Sequence, residues 1–269
     1  PLMEKLFQYR FKGKSELAGH SFGNLFIAAM TEVTGDVETA LRESSKVLAV
    51  KGEVLPASKE HVRLDAIMDD GSVVEGESHI PEVHKHIRRV KLFPPHVQPV
   101  QAALDALMHA DAIILGPGSL YTSIMPNLCV PDIVDAVRTS KAPKIYICNV
   151  MTQPGETDDY SVSDHIKAIN RQAGGKLIDF VIANNGDVDP TVLQRYVAHG
   201  SHPVMIDKKE VAQTGATLIL SDLINKENSA THDTKKLANV LFDLINALRT
   251  DLSPELLHYY LKRYTFNHR

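Results

Sequence analysis

Residues 112–127 read AIILGPGSLYTSIMPN, an apolar strand that runs straight into a loop holding Gly116, Pro117, Gly118, Ser119, Tyr121, Thr122 and Ser123. In open α/β sheets, ligands bind just beyond the carboxyl ends of such strands. Gly116 and Gly118 carry no Cβ, so backbone N–H groups can approach an anion closely, and the hydroxyls of Ser119, Thr122 and Ser123 add neutral donors. The loop therefore reads as a phosphate cradle. It is neither the GxxxxGK[ST] loop nor the GxGxxG fingerprint. Gly-Pro-Gly-Ser is also ordinary turn chemistry, and it is the place of the loop after a buried strand that favours the ligand reading.

Outward from this stretch the apolar spacing sets the fold class. Helices are predicted near 25–30 and 41–50, with Gly35 stopping the first and Asp36 capping the second. Alternation over 61–80 around Asp69-Asp70-Gly71 predicts a β-hairpin, with a further strand over 87–93. A βα rhythm follows: helix 97–109, strand 112–115, a helix after Pro131, strand 144–150 and helix 164–172 behind Ser161 and Ser163. Strand 178–183, helix 190–198, strands 203–206 and 217–220, and helix 233–248 continue it. Such alternation predicts an α/β domain with a mainly parallel sheet flanked by helices and an added hairpin.

The 269 residues suit one α/β domain with a C-terminal helical tail over about 252–269, and they can bury a core without staples. A net charge of -4 argues against nucleic acid as the partner. Arg88, Arg89 and Lys91 read as the solvated face of a strand. Cys129 and Cys148 sit in apolar runs, as small hydrophobes in a reducing cytoplasm would. No apolar run is long enough for a membrane span. The chain begins at Pro1 without an initiator Met, which leaves room for an upstream segment.

Two more constellations are candidates for chemistry. Residues 19–24, GHSFGN, bring His20, Ser21, Gly23 and Asn24 to a helix N-terminus, where anions are favoured and where a plain capped helix would look the same. After the strand KIYICNV comes a polar loop with Asn149, Thr152, Gln153, Glu156, Asp158 and Tyr160, then Ser163-Asp164-His165. If the two strands are neighbours, their loops share one cleft. Asn149, Thr152 and Gln153 would then read a base or sugar, and Glu156 or Asp164 would hold Mg²⁺ on a phosphate. Tyr121 and Tyr160 either stack on a base or sit half-buried with satisfied hydroxyls. The thirteen histidines form no HExxH or Cys/His array; His232 and Asp233, at the start of the last long helix, are placed to reach a ligand phosphate, but a cap by Asp233 is the favoured reading.

Taken together, GHSFGN, GPGSLYTSIMPNL and ICNVMTQPGETDDYSVSDH resemble the gluconeogenesis factor family of bacteria, within the 2-phospho-L-lactate transferase (CofD-like) superfamily. KVLAVKGEVLPAS and DGSVVEGESHI extend the likeness to about residues 2–222. The resemblance implies a Rossmann-like fold and a nucleotide diphosphate sugar, a UDP-sugar, as ligand. It also implies a role in cell shape and wall synthesis on gluconeogenic carbon sources, and a homodimer. Asn127, within GPGSLYTSIMPNL, and Tyr196, in LQRYVAHG, join the candidate ligand set. Three departures stand out: no GGGTG-like loop precedes Leu2, Thr231-His232-Asp233 replaces an Arg-His-Asp sequence, and the tail with Tyr259, Tyr260, Leu261 and Tyr264 is unlike the family. Two functions compete: a regulator that binds the UDP-sugar unchanged, and a Mg²⁺-dependent transferase that moves a phospho-acyl group from a nucleotide diphosphate to a hydroxyl.

Overall fold

The computed structural model describes residues 2–13, 16–48, 51–225 and 229–249, which form two compact units. The tail predicted helical from about 252 lies outside the described residues. The first unit, residues 1–61 and 98–105, contains α1 (Leu2–Phe7), α2 (Phe22–Thr34) and α3 (Val37–Val47). Gly35, at φ 86°, ends α2 in the left-handed region that a residue without Cβ adopts freely. Asp36 then accepts the Thr39 N–H at 3.0 Å and starts α3, so both punctuation residues act as their types predict.

The second unit, residues 62–97 and 106–269, opens with β1 (Arg63–Met68), β2 (Val73–Glu75) and β3 (Ile87–Phe93). The predicted hairpin is thus two strands of a separate three-stranded antiparallel sheet in the order β2-β1-β3. Short 3₁₀ turns at Glu77–His79 and Pro81–Val83 link it to β3. Helix α4 (Gln101–His109) starts later than its apolar spacing implied, because Pro94, Pro95 and Pro99 hold the preceding chain away from helix. Then follow β4 (Ile113–Leu115), a π-helical turn (Leu120–Ile124), α5 (Met125–Leu128), α6 (Pro131–Thr139), β5 (Lys144–Ile147) and α7 (Val162–Gln172). The chain continues through β6 (Phe180–Asn184), α8 (Pro190–Val197), α9 (Lys208–Gln213), β7 (Thr217–Ser221) and α10 (Thr234–Arg249).

Strands β4 to β7 form a parallel sheet in sequence order, with Leu115 beside Tyr146, Tyr146 beside Val181 and Val181 beside Leu218. Right-handed crossovers in such an order deliver their helices to one face. The stacking of Tyr146 against His165, ring centroids 6.2 Å apart, places α7 on that face. Ile145, Ile147, Ile182 and Ile219 point the other way and bury the Leu237, Val240 and Leu244 stripe of α10. Alternate residues of one strand therefore belong to different layers. The expected strand over 203–206 shrinks to single bridges, Pro203 to Met151 and Met205 to Ser161, while α9 was not foreseen. Among the described residues no helix is long and apolar enough to cross a membrane.

Candidate functional site

All four parallel strands end on the same edge of the sheet, and beyond β4 and β5 lies a cleft of about 520 Å³. Gly118 and Ser119 line it from the β4 loop, and Asn149, Thr152, Gln153 and Glu156 from the β5 loop. Tyr196, His199 and Ser201 supply a third wall, with Thr231 and His232, which precede α10, supplying a fourth. Gly118 and Thr152, far apart in sequence, thus face one cavity.

Side-chain hydrogen bonds join the first two walls. Gln153 Nε2 donates to Ser119 Oγ at 2.6 Å, and Asn149 Nδ2 donates to Gln153 Oε1 at 3.1 Å. Gln153 is itself held by a tight turn, its N–H donating to Thr157 Oγ1 at 2.9 Å and its carbonyl accepting from the Thr157 N–H at 2.8 Å. The result is a row of amide and hydroxyl groups with few rotamers left, a neutral donor surface suited to phosphate or sugar oxygens. Gly118 permits the approach: a Cβ there would lie 3.2 Å from the Ser123 Cβ. Gly116, at φ 95°, would bring a Cβ to 3.2 Å from the Ile147 carbonyl, so a residue without Cβ sets the tight exit of β4.

Thr152 lines the cleft but commits its polar atoms to the third wall. Its N–H donates to the His202 carbonyl at 2.7 Å, its Oγ1 accepts the His202 N–H at 3.0 Å, and its carbonyl accepts from Ser201 Oγ at 2.6 Å. Gly155, at φ 79°, sits directly on the Pro81 backbone, so that any Cβ would collide with it. That contact brings Pro81 to the cleft edge. His232 Nε2 donates to the Cys148 carbonyl at 3.2 Å, so the ring carries its proton on Nε2. Burial depresses the His232 pKa and keeps the ring neutral, while the same burial pushes the Cys148 thiol up to about 12.

Several expected contacts are not brought to the cleft. Tyr121 is fully buried, its hydroxyl donating to the Ile87 carbonyl at 2.9 Å and pairing with the Tyr160 hydroxyl at 2.7 Å. The reason is the π-helical turn, in which the Ile124 N–H reaches the Ser119 carbonyl at 3.0 Å and swings Tyr121 into the core. Ser123 and Asn127 face solvent on the same short helical segment, with Asn127 Nδ2 bonded to the Ser123 carbonyl at 3.0 Å. Thr122 turns its hydroxyl to Glu156 Oε1 at 3.3 Å.

The two expected metal carboxylates do not assemble. Asp164 forms a capping box with Ser161 at the start of α7, its Oδ2 accepting from the Ser161 N–H at 3.1 Å, and it pairs with Lys167 at 3.2 Å. Those interactions hold its carboxyl below the usual range despite partial burial. Glu156 does reach the cleft. Burial drives its carboxyl upward, against the lowering effect of the Thr122 hydroxyl and the Tyr121 and Thr122 backbone N–H groups. Among the described residues no group of three or more His, Cys, Asp or Glu side chains could hold a metal ion.

His20, Ser21, Gly23 and Asn24 belong to the first unit, where they build a helix start. Ser21 Oγ accepts the Asn24 N–H at 3.1 Å as the cap of α2, and a Cβ on Gly23 would meet Phe7 at 3.1 Å. The contributions of His199, Ser201 and Pro81 were missed in the sequence, whereas Asp233 caps α10 as expected, accepting from the Lys235 and Lys236 N–H groups, and His232 lines the cleft.

Comparison with known proteins adds a family. The profile of 2-phospho-L-lactate transferase CofD matches residues 1–224. The chain is 47% identical over 246 residues to the gluconeogenesis factor of Bacillus subtilis (strain 168), covering 91% of this chain and 78% of that protein. A relative from Nostoc sp. (strain PCC 7120) is 48% identical over 243 residues, 89% of this chain, and there the chain spans only 53% of the relative's length. The crystal structure of a UPF0052 family protein from Bacillus halodurans superposes with a TM-score of 0.84 at 42% identity, covering 90% of this chain and 78% of that one.

Proposed function

The chain belongs to the 2-phospho-L-lactate transferase CofD family, and from that premise we propose that it is a cytoplasmic, UDP-sugar-binding regulatory protein of the gluconeogenesis factor type, supporting cell shape and wall synthesis on gluconeogenic carbon sources. The observation that carries the reading is the Asn149–Gln153–Ser119 relay across the cleft. It fixes neutral donors where a diphosphate would lie at the strand ends, and it includes no nucleophile activated by a base. Tyr196 and the neutral His232 border the same space, with room beside the phosphates for a sugar or base.

Calorimetry with UDP-N-acetylglucosamine, followed by a turnover assay with Mg²⁺ and a deazaflavin acceptor, tests it. Saturable binding without product is the expected result, and product formation would replace the regulator by the transferase. The family profile's own description motivates that second reading, in which Glu156 would help hold Mg²⁺ on the donor phosphates. Homodimerisation belongs to the same proposal and is checked by sedimentation.

A further inference from the structure

Two imidazole rings line the cleft, His199 just after α8 and His232 just before α10, and each has committed one nitrogen to the backbone. His199 Nδ1 donates to the Arg195 carbonyl at 2.7 Å, as His232 Nε2 does to the Cys148 carbonyl at 3.2 Å. A carbonyl oxygen only accepts, so the proton of each neutral ring sits on that nitrogen and the opposite one carries a bare lone pair. His199 Nε2 and His232 Nδ1 are thus acceptors, and neither has a hydrogen-bond partner among the described residues. Burial of His232 depresses its pKa and preserves that lone pair.

The walls from β4 and β5 have the opposite polarity. Ser119 Oγ accepts from Gln153 Nε2, which leaves the Ser119 O–H to donate, and Asn149 keeps a second amide N–H beyond the one it gives to Gln153. A ligand that satisfies the whole cavity therefore carries acceptor oxygens at one end and O–H or N–H groups at the other. Inorganic diphosphate lacks the second end. Uracil offers a single N–H between two carbonyls, which the ring lone pairs would oppose, whereas a sugar offers several hydroxyls. We propose that His199 and His232 read the sugar, accepting hydrogen bonds from its hydroxyl or amide N–H groups while the diphosphate lies on Ser119 and Gln153. The inference rests on the nucleotide-sugar reading and adds to it which end of the ligand each wall holds. The sugar, and not the base, then points at the walls that follow α8 and precede α10.

The test is calorimetry at pH 8 with two ligands, UDP-N-acetylglucosamine and the methyl ester of UDP, in which a methyl group replaces the sugar and the diphosphate keeps its charge. Wild type, His199→Ala and His232→Phe are compared. Wild type is expected to bind the sugar nucleotide about tenfold or more above the methyl ester, since a site built to pair with hydroxyls is left unpaired by a ligand without them. Each variant should lose about five- to tenfold in affinity for the sugar nucleotide and keep its affinity for the methyl ester within about twofold. Equal losses on both ligands would overturn the proposal, because a ring that only supports the fold or touches the diphosphate weakens the two alike. Unchanged affinities would overturn it as well. His199 is exposed, so His199→Ala decides the matter even where His232→Phe does not fold. If wild type binds neither ligand, the nucleotide-sugar reading falls and this assignment with it; if wild type binds both and the variants do not discriminate between them, the assignment alone falls.

Discussion

Two layers lie one above the other at the carboxyl end of β4 and β5, and both are rich in polar residue types. The upper one, with Gly118, Ser119, Asn149 and Gln153, is half-exposed, and its side chains bond to one another across the cleft. The lower one, with Tyr121, Tyr146, Tyr160 and His165, is largely core: Tyr160 packs edge-on against His165 at 5.4 Å, and Tyr146 stacks on the other side of the ring. Tyr121 and Ser119 are two residues apart in sequence, yet one holds the fold and the other lines the cleft. Residue type alone does not separate these roles; the local helical twist does.

The comparison breaks most sharply where the two layers should respond in opposite ways. Tyr121→Ala removes a fully buried ring together with its bonds to Ile87 and Tyr160, and is expected to cost about 3–5 kcal/mol in denaturant unfolding. Gly155→Ala should be comparably severe, because its positive φ and the Pro81 backbone leave a Cβ nowhere to go. A midpoint unchanged in Tyr121→Ala would mean the lower layer tolerates rearrangement and that its separation from the rim is not structural, and one unchanged in Gly155→Ala would mean the Pro81 backbone gives way.

On the rim the balance should invert. Ser119→Ala removes one bond of the relay and Gln153→Ala removes both. UDP-sugar affinity is expected to fall about tenfold, about 1.4 kcal/mol, with the thermal midpoint nearly unmoved. A loss of stability as large as that of Tyr121→Ala would place these residues with the core.

The lower layer also has a pH signature. Burial depresses the His165 pKa, with Nδ1 bonded to the Ser161 carbonyl at 2.8 Å and Nε2 without a partner. The folded state therefore resists protonation, and its stability is full above the ordinary histidine pKa of 6.5 and declines as pH falls through the lower folded value. His232, also depressed, adds to this trend. Unfolding midpoints should drop between pH 7 and pH 5, by at most about 1.4 kcal/mol per pH unit for each ring. His165→Phe should flatten that acid limb, and an unchanged slope would assign it elsewhere.

Much of this organisation was legible in the chain. Period and punctuation located the parallel strands, and Gly35, Asp36 and Ser161 acted at helix ends as their side chains dictate. Juxtaposition of the GPGS and Asn149 loops followed from strand-end placement. Illegible were the π-helical turn, which no period of 3.6 or 2 encodes, and walls contributed from a distance by Pro81, His199 and Ser201. Pro203–Ile206 misled because a short apolar run carries no mark of how many neighbours it will pair with; here it made only isolated bridges.

The smallest effect expected concerns Asp164, which sharpens the boundary of the rim. Its residue type and its place after the Asn149 loop fit a metal ligand, but its carboxylate closes a capping box and an ion pair at the start of α7. Asp164→Ala should therefore cost about 1 kcal/mol of stability, the usual worth of such a cap, and should leave UDP-sugar affinity the same with and without Mg²⁺. Because its folded pKa is lowered, the difference from wild type should shrink as pH falls through that value, where the wild-type carboxyl takes up its proton. A Mg²⁺-dependent loss of affinity in this variant would move Asp164 onto the rim, and would require a rotation of its side chain away from Ser161 when ligand binds.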